Sequence, residues 1–130
     1  MAEEITHRQL STILDSMTDG VRSGVGGDDY RAMAAEYAFK TRGLVAEGRA
    51  FVARMADDHR QLEAGTRELK AEALVEDATT GDPGQLARAT RLEASLRAWE
   101  STILRQAADV LELDSALVKL ENALAVGGAE

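Results

Sequence analysis

The chain has 130 residues, no cysteine, a single proline and a formal net charge of −8. That acidic balance argues against nonspecific nucleic-acid binding and against docking on anionic lipid, since both depend on basic surface. The lack of cysteine excludes disulfides, thiolate nucleophiles and cysteine-based zinc or iron–sulfur sites, and an aromatic content of only 4% beside abundant alanine favours helix over sheet.

The N-terminus, Met1-Ala2-Glu3-Glu4-Ile5-Thr6-His7, carries acid where a secretory signal would carry a basic region followed by an apolar run. No stretch approaches the ~20 apolar residues of a spanning helix. The expectation is a cytoplasmic, all-α, single-domain protein, with export lacking a signal peptide as the alternative.

A first helix is expected over about residues 3–19. Leu10, Ile13, Leu14, Met17 and Val21 recur at spacings of three and four, which puts them on one apolar face. Gly20, Gly24, Gly26 and Gly27 then interrupt the pattern, and Asp28 and Asp29 are placed to cap the next helix. Residues 20–27 are therefore read as a hinge or tight reversal.

A long helix is expected over about residues 29–79. Its apolar positions keep helical spacing through Tyr30, Ala34, Tyr37, Thr41, Leu44, Gly48, Phe51 and Met55, then Leu62, Thr66, Leu69 and Ala73. Gly43, Gly48 and Gly65 each cost roughly 1 kcal/mol against alanine and are the natural places for a bend. Gly48 lies on the apolar face itself, which suits close approach by a neighbouring helix.

The chain is expected to turn at 80–82. Gly81 is placed to close the long helix in the left-handed conformation. Asp82 reads as the next N-cap, Pro83 as the first helical residue and Gln85 as the partner in a capping box. So short a connection makes the flanking helices antiparallel neighbours.

The last helix, about 83–126, carries the clearest pattern. Leu96, Ile103, Val110, Leu117 and Leu124 repeat every seven residues, and Leu92, Trp99, Gln106, Leu113 and Leu120 form a second seam, as in a coiled coil. Folding the two long helices about Gly81 and Asp82 brings Leu69 to the region of Ala94, Met55 to that of Ala108 and Leu44 to that of Lys119. Near the turn both stripes are narrow with charged flanks. Away from it they widen, by Phe39, Val45 and Val52 on one helix and Leu104, Leu111 and Val118 on the other. A two-helix contact cannot cover so wide a stripe. The expected architecture is a long antiparallel hairpin whose open end is covered by the N-terminal helix, giving a three-helix bundle.

Few residues offer chemistry. His59, in Asp57-Asp58-His59-Arg60, sits at the edge of the apolar stripe and is expected to be solvated or salt-bridged. His7 lies near the terminus, and neither histidine has a nucleophile elbow or phosphate loop beside it. Glu4-Ile5-Thr6-His7 has the Glu-x-x-His spacing of di-iron bundles, but such a site needs a second copy and further inward glutamates. Neither is found, so no metal or cofactor is expected. Asp57 and Asp58 are adjacent in a helix and diverge by about 100°, so they do not converge as a general acid and base.

What remains is surface for protein partners. The candidate interface residues are Leu10, Leu14, Met17, Tyr30, Tyr37, Phe39, Val45, Val52, Trp99, Leu104, Leu111 and Val118. Trp99 is suited to filling the seam and, as the alternative, to anchoring a contact. The functional expectation is a non-enzymatic helical protein that self-associates or docks on an assembly partner. The alternative is a small acidic chaperone or adaptor, its N-terminal helix a displaceable flap over a client groove.

Overall fold

Thr6 starts the first helix by a reciprocal cap. Its hydroxyl accepts from the Gln9 N–H at 3.2 Å, while its own N–H donates to Gln9 Oε1 at 2.8 Å, so two of the otherwise orphaned donors at the helix start are satisfied. The computed structural model describes residues 6–81 and 83–127. Its elements are three helices in chain order: α1, His7–Ser23; α2, Gly27–Thr80; and α3, Gly84–Gly127.

The first helix therefore starts later and ends later than the sequence suggests. It runs through Gly20, which is not a breaker but a seat for an aromatic ring. A Cβ at Gly20 would lie 2.6 Å from the hydroxyl oxygen of Tyr30. The reversal is confined to the three residues after Ser23. Gly24 caps α1 at φ 74°, and Val25 N–H donates to the Gly20 carbonyl at 3.1 Å. Gly26, at φ 69°, needs a conformation that side chains avoid, and Tyr30 Cβ fills the space a side chain would require.

α2 is a single helix through Gly43, Gly48 and Gly65. It closes at Gly81, whose φ of 76° and N–H to the Asp77 carbonyl at 2.7 Å form the expected left-handed stop. The expected cap at Asp82 lies outside the described residues. Asp77 supplies a cap of its own, because its carboxylate accepts from the Leu86 N–H at 2.9 Å and so ties the end of α2 to the first turn of α3.

Packing divides the chain into two compact units. One contains residues up to Ala50 and from Ala107 onward, and the other contains Phe51–Gln106. In the first unit α1 packs against both long helices. Its core joins Leu14 and Val21 of α1 with Ala34, Ala38 and Val45 of α2 and with Val110, Leu113, Leu117 and Leu120 of α3. Leu14, Leu117 and Leu120 are completely buried, and each such side chain contributes about 1.5–3 kcal/mol. Three hydroxyls share this core: Thr18 and Thr41 donate to the Leu14 and Tyr37 carbonyls at 2.8 Å, and the Ser11 hydroxyl has no partner among the described residues.

Gly48 resolves as a close-approach residue. The Val110 side chain comes within 3.0 Å of where its Cβ would stand, while Gly43 and Gly65 have nothing within 4 Å of theirs.

The second unit has a leaner core of Ala73, Ala89 and Ile103, completed by Thr66 and His59. Only one of these is a large aliphatic side chain. Little apolar surface is withdrawn from water there, so its hydrogen bonds open to exchange at lower free energy than those around Leu117.

Candidate functional site

Two side-chain constellations link α2 to α3, one in each unit. In the first unit Arg42 of α2 reaches two acids of α3. Its Nη1 lies 2.6 Å from Asp114 Oδ1, while its Nε (3.3 Å) and Nη2 grip the two oxygens of Glu121. Arg49, about two turns along α2, donates to the other oxygen of Asp114. Hydrogen bonds that Arg42 donates to Glu121 and then to Asp114 hold its guanidinium above its ordinary pKa. A planar fork that meets one carboxylate through two donors fixes geometry as well as charge. The register it fixes lies within about one helical turn of the sequence expectation.

The second constellation surrounds His59, which is buried rather than solvated. Its Nε2 lies 2.8 Å from the Leu96 carbonyl oxygen. A carbonyl can only accept, so Nε2 carries the proton and Nδ1 faces outward, 3.8 Å from Glu63 Oε2. The edge of Trp99 packs on the ring, with centroids 5.6 Å apart and planes at 62°, the T-shaped arrangement favoured by aromatic quadrupoles. Glu63 is thus a distant neighbour, and the closer ties of the ring are to backbone and tryptophan. His59→Ala is expected to lower stability by about 2 kcal/mol, since it opens a cavity and removes a donor. Urea unfolding followed by the emission of Trp99 reads both the shift in midpoint and the loss of the edge contact; an unchanged midpoint and native spectrum would contradict it.

Beside His59 is a groove of about 350 Å³ lined by Glu63, Thr66, Arg67, Lys70, Glu93, Leu96 and Arg97. Its charges answer one another. Arg67 pairs with Glu63, and Lys70 lies 2.8 Å from Glu93, whose carboxyl it holds below the usual glutamate range. Among the described residues no three His, Cys, Asp or Glu side chains come together as metal ligands. His7 is exposed at the start of α1, and its sequence partner Glu4 lies outside the described residues. No described helix is long and apolar enough to cross a membrane.

The candidate interface residues separate into three groups. Leu14 and Val45 are buried, so they reach a partner only if the first unit opens. Leu10, Met17, Tyr30, Tyr37, Val52 and Trp99 are half-buried. Phe39, Leu104, Leu111 and Val118 are exposed, to 81%, 64%, 63% and 41%. The expectation that α1 would cover the widened stripes holds for Val45, which is buried, and needs correction for the four exposed residues. Each of the exposed four follows a buried seam residue directly: Ala38, Ile103, Val110 and Leu117. One step along a helix is about 100° of rotation, so Phe39, Leu111 and Val118 turn away from the core that α1 completes, and Leu104 turns away from the separate core of the second unit.

Comparison with known protein families, with characterised proteins and with solved structures finds no match to this chain. Fold and surface define an all-α protein built on a helical hairpin. Its functional reading rests on that surface alone.

Proposed function

We propose that this is a non-enzymatic helical interaction protein, which self-associates or docks on an assembly partner through the outward faces of its long helices. The observation that carries this reading is Phe39, 81% exposed on α2, together with Leu111 and Val118 on α3 of the same unit. Large apolar side chains at seven-residue spacing beyond the filled seam are what a second helix would cover. Covalent crosslinking with mass measurement tests it through Lys40, Lys70 and Lys119, which stand on both long helices. Crosslinks between chains, or to a recovered protein partner, are expected; crosslinks confined to single chains, with no partner recovered, would count against it.

A second reading is supported by the way α1 is held. Its buried positions are Ser11, Leu14, Thr18 and Val21, so two of the four are polar and one hydroxyl lacks a partner. Such a face docks more weakly than an all-apolar one. The short glycine connection after Ser23 would let it swing aside as the flap of a chaperone or adaptor, exposing Val45 and Leu117 to a client helix. Neither reading calls for a cofactor, for nucleic acid or for membrane insertion.

A further inference from the structure

The outward face of α2 within the first unit carries a second seam. Phe39, Gly43, Ala46 and Ala50 are all exposed and succeed one another at spacings of four, three and four, the step pattern of a heptad stripe. One large knob is thus followed by three positions with almost no side chain. Gly43 is the telling member. No described residue comes within 4 Å of a Cβ placed there, so packing among the described residues gives no reason for a glycine in mid-helix, unlike Gly48 against Val110.

We propose that a second copy of this chain docks on this face, α2 against α2 in antiparallel orientation about Gly43 and Leu44. The argument is self-complementarity, which a two-fold interface requires because the same patch must serve as both halves. Antiparallel pairing at this level sets Phe39 of one copy over the hollow formed by Gly43, Ala46 and Ala50 of the other, twice by symmetry. The same register sets Lys40 opposite Glu47 of the second copy, again twice. Both residues are exposed; Glu47 makes no ion pair among the described residues, and Lys40 meets only Glu36 on its own helix. On the other flank Arg42 and Arg49 are already neutralised by Asp114 and Glu121, so the two copies bring no bare like charges together there. Steric fit and charge fit therefore select one register. This inference rests on the self-association reading and gives it a surface.

Sedimentation equilibrium on the full chain over a wide concentration range tests it. The unsubstituted protein is expected to reach twice its 14.0 kDa mass. Gly43→Leu should weaken the dimer at least tenfold while leaving the thermal midpoint of the monomer unchanged or higher, because leucine is the better helix former and meets no neighbour among the described residues. Lys40→Glu should weaken it too, and adding Glu47→Lys should restore it. A dimer indifferent to Gly43→Leu, or a double charge reversal that fails to rescue Lys40→Glu, overturns this surface while leaving self-association standing. A monomer at every concentration overturns both.

Discussion

Leu14→Asp is expected to release α1 from the first unit while the hairpin of α2 and α3 stays helical. Leu14 is completely buried, and the polar groups of that core offer an incoming carboxylate very little. Thr18 and Thr41 already donate to backbone carbonyls, which leaves the Ser11 hydroxyl as the one unused donor among them. An unpaired buried charge costs several kcal/mol. The attachment it opposes rests on Leu14 and Val21, buried, with Leu10, Ile13 and Met17 half-buried beside them, and the substitution removes Leu14's own share of about 1.5–3 kcal/mol as well. The balance favours undocking. Apolar-dye binding should rise and the thermal midpoint should fall, with most of the helical signal retained because α2 and α3 hold most of the helical residues. A variant with native dye binding and native midpoint would mean that α1 is not held by this face. The same protein tests the chaperone reading: a partner that binds beneath α1 should bind the variant more tightly, whereas a partner of the outward face should be indifferent.

The second large effect is expected from Leu117→Ala, at about 3–5 kcal/mol in urea unfolding. Leu117 is fully buried between completely or nearly buried neighbours, Leu113 and Leu120, so the removed atoms leave a cavity that a packed bundle refills poorly. Leu117→Met keeps most of the volume and should cost less than about 1.5 kcal/mol. The neighbouring position makes the sharper comparison. Val118, one residue on and exposed, should tolerate alanine within about 0.5 kcal/mol. If Val118→Ala proved as damaging as Leu117→Ala, the assignment of inward and outward faces on α3 would be wrong.

That assignment was readable in α3 and much less so in α2, for a physical reason. On α3 the buried positions Ile103, Val110, Leu113, Leu117 and Leu120 are large and aliphatic, so a seven-residue repeat announces them. On α2 the inward column runs through Ala38, Val45, Val52, His59, Thr66 and Ala73, each buried or half-buried. Alanine, threonine and histidine give little periodic signal, whereas the louder leucines, Leu44, Leu62 and Leu69, stand about half in solvent. Reading the stripe from the leucines tilted the expected face and placed His59 at its edge. His59 is buried because opposite it Trp99 offers a ring edge and Leu96 a carbonyl, and neither can be read from the residues around position 59.

The glycines divide in the same way. The reversal after α1 and the stop at Gly81 follow from the sequence, since left-handed backbone has few other occupants. The role of Gly48 as a close-approach position on the apolar face was legible too, whereas Gly20 and Gly43 required the structure, because what distinguishes them is what stands opposite: Tyr30 against Gly20, and no described residue within 4 Å of a Cβ at Gly43. The capping box at Thr6 and Gln9 was legible in principle, as its residue types and spacing match the motif. The cap that Asp77 extends to Leu86 was not, because it joins two helices across the turn.

For the candidate interface residues, their apolar character was legible and their exposure was not. Phe39, Leu104, Leu111 and Val118 stand out as apolar positions beyond a filled seam, but the sequence does not say on which side of the hairpin α1 lies. Once Leu14 and Val21 are seen packed into the core with Ala38 and Leu117, Phe39, Leu111 and Val118 stand out as uncovered surface of the first unit, and Leu104 as uncovered surface of the second.

The central claim is that this uncovered surface is where the chain associates. Light scattering on the full chain across a hundredfold range of concentration tests it most directly. A mass rising from 14.0 kDa towards twice that value, with the rise abolished by Gly43→Leu, is the predicted result. A constant 14.0 kDa mass throughout would contradict it.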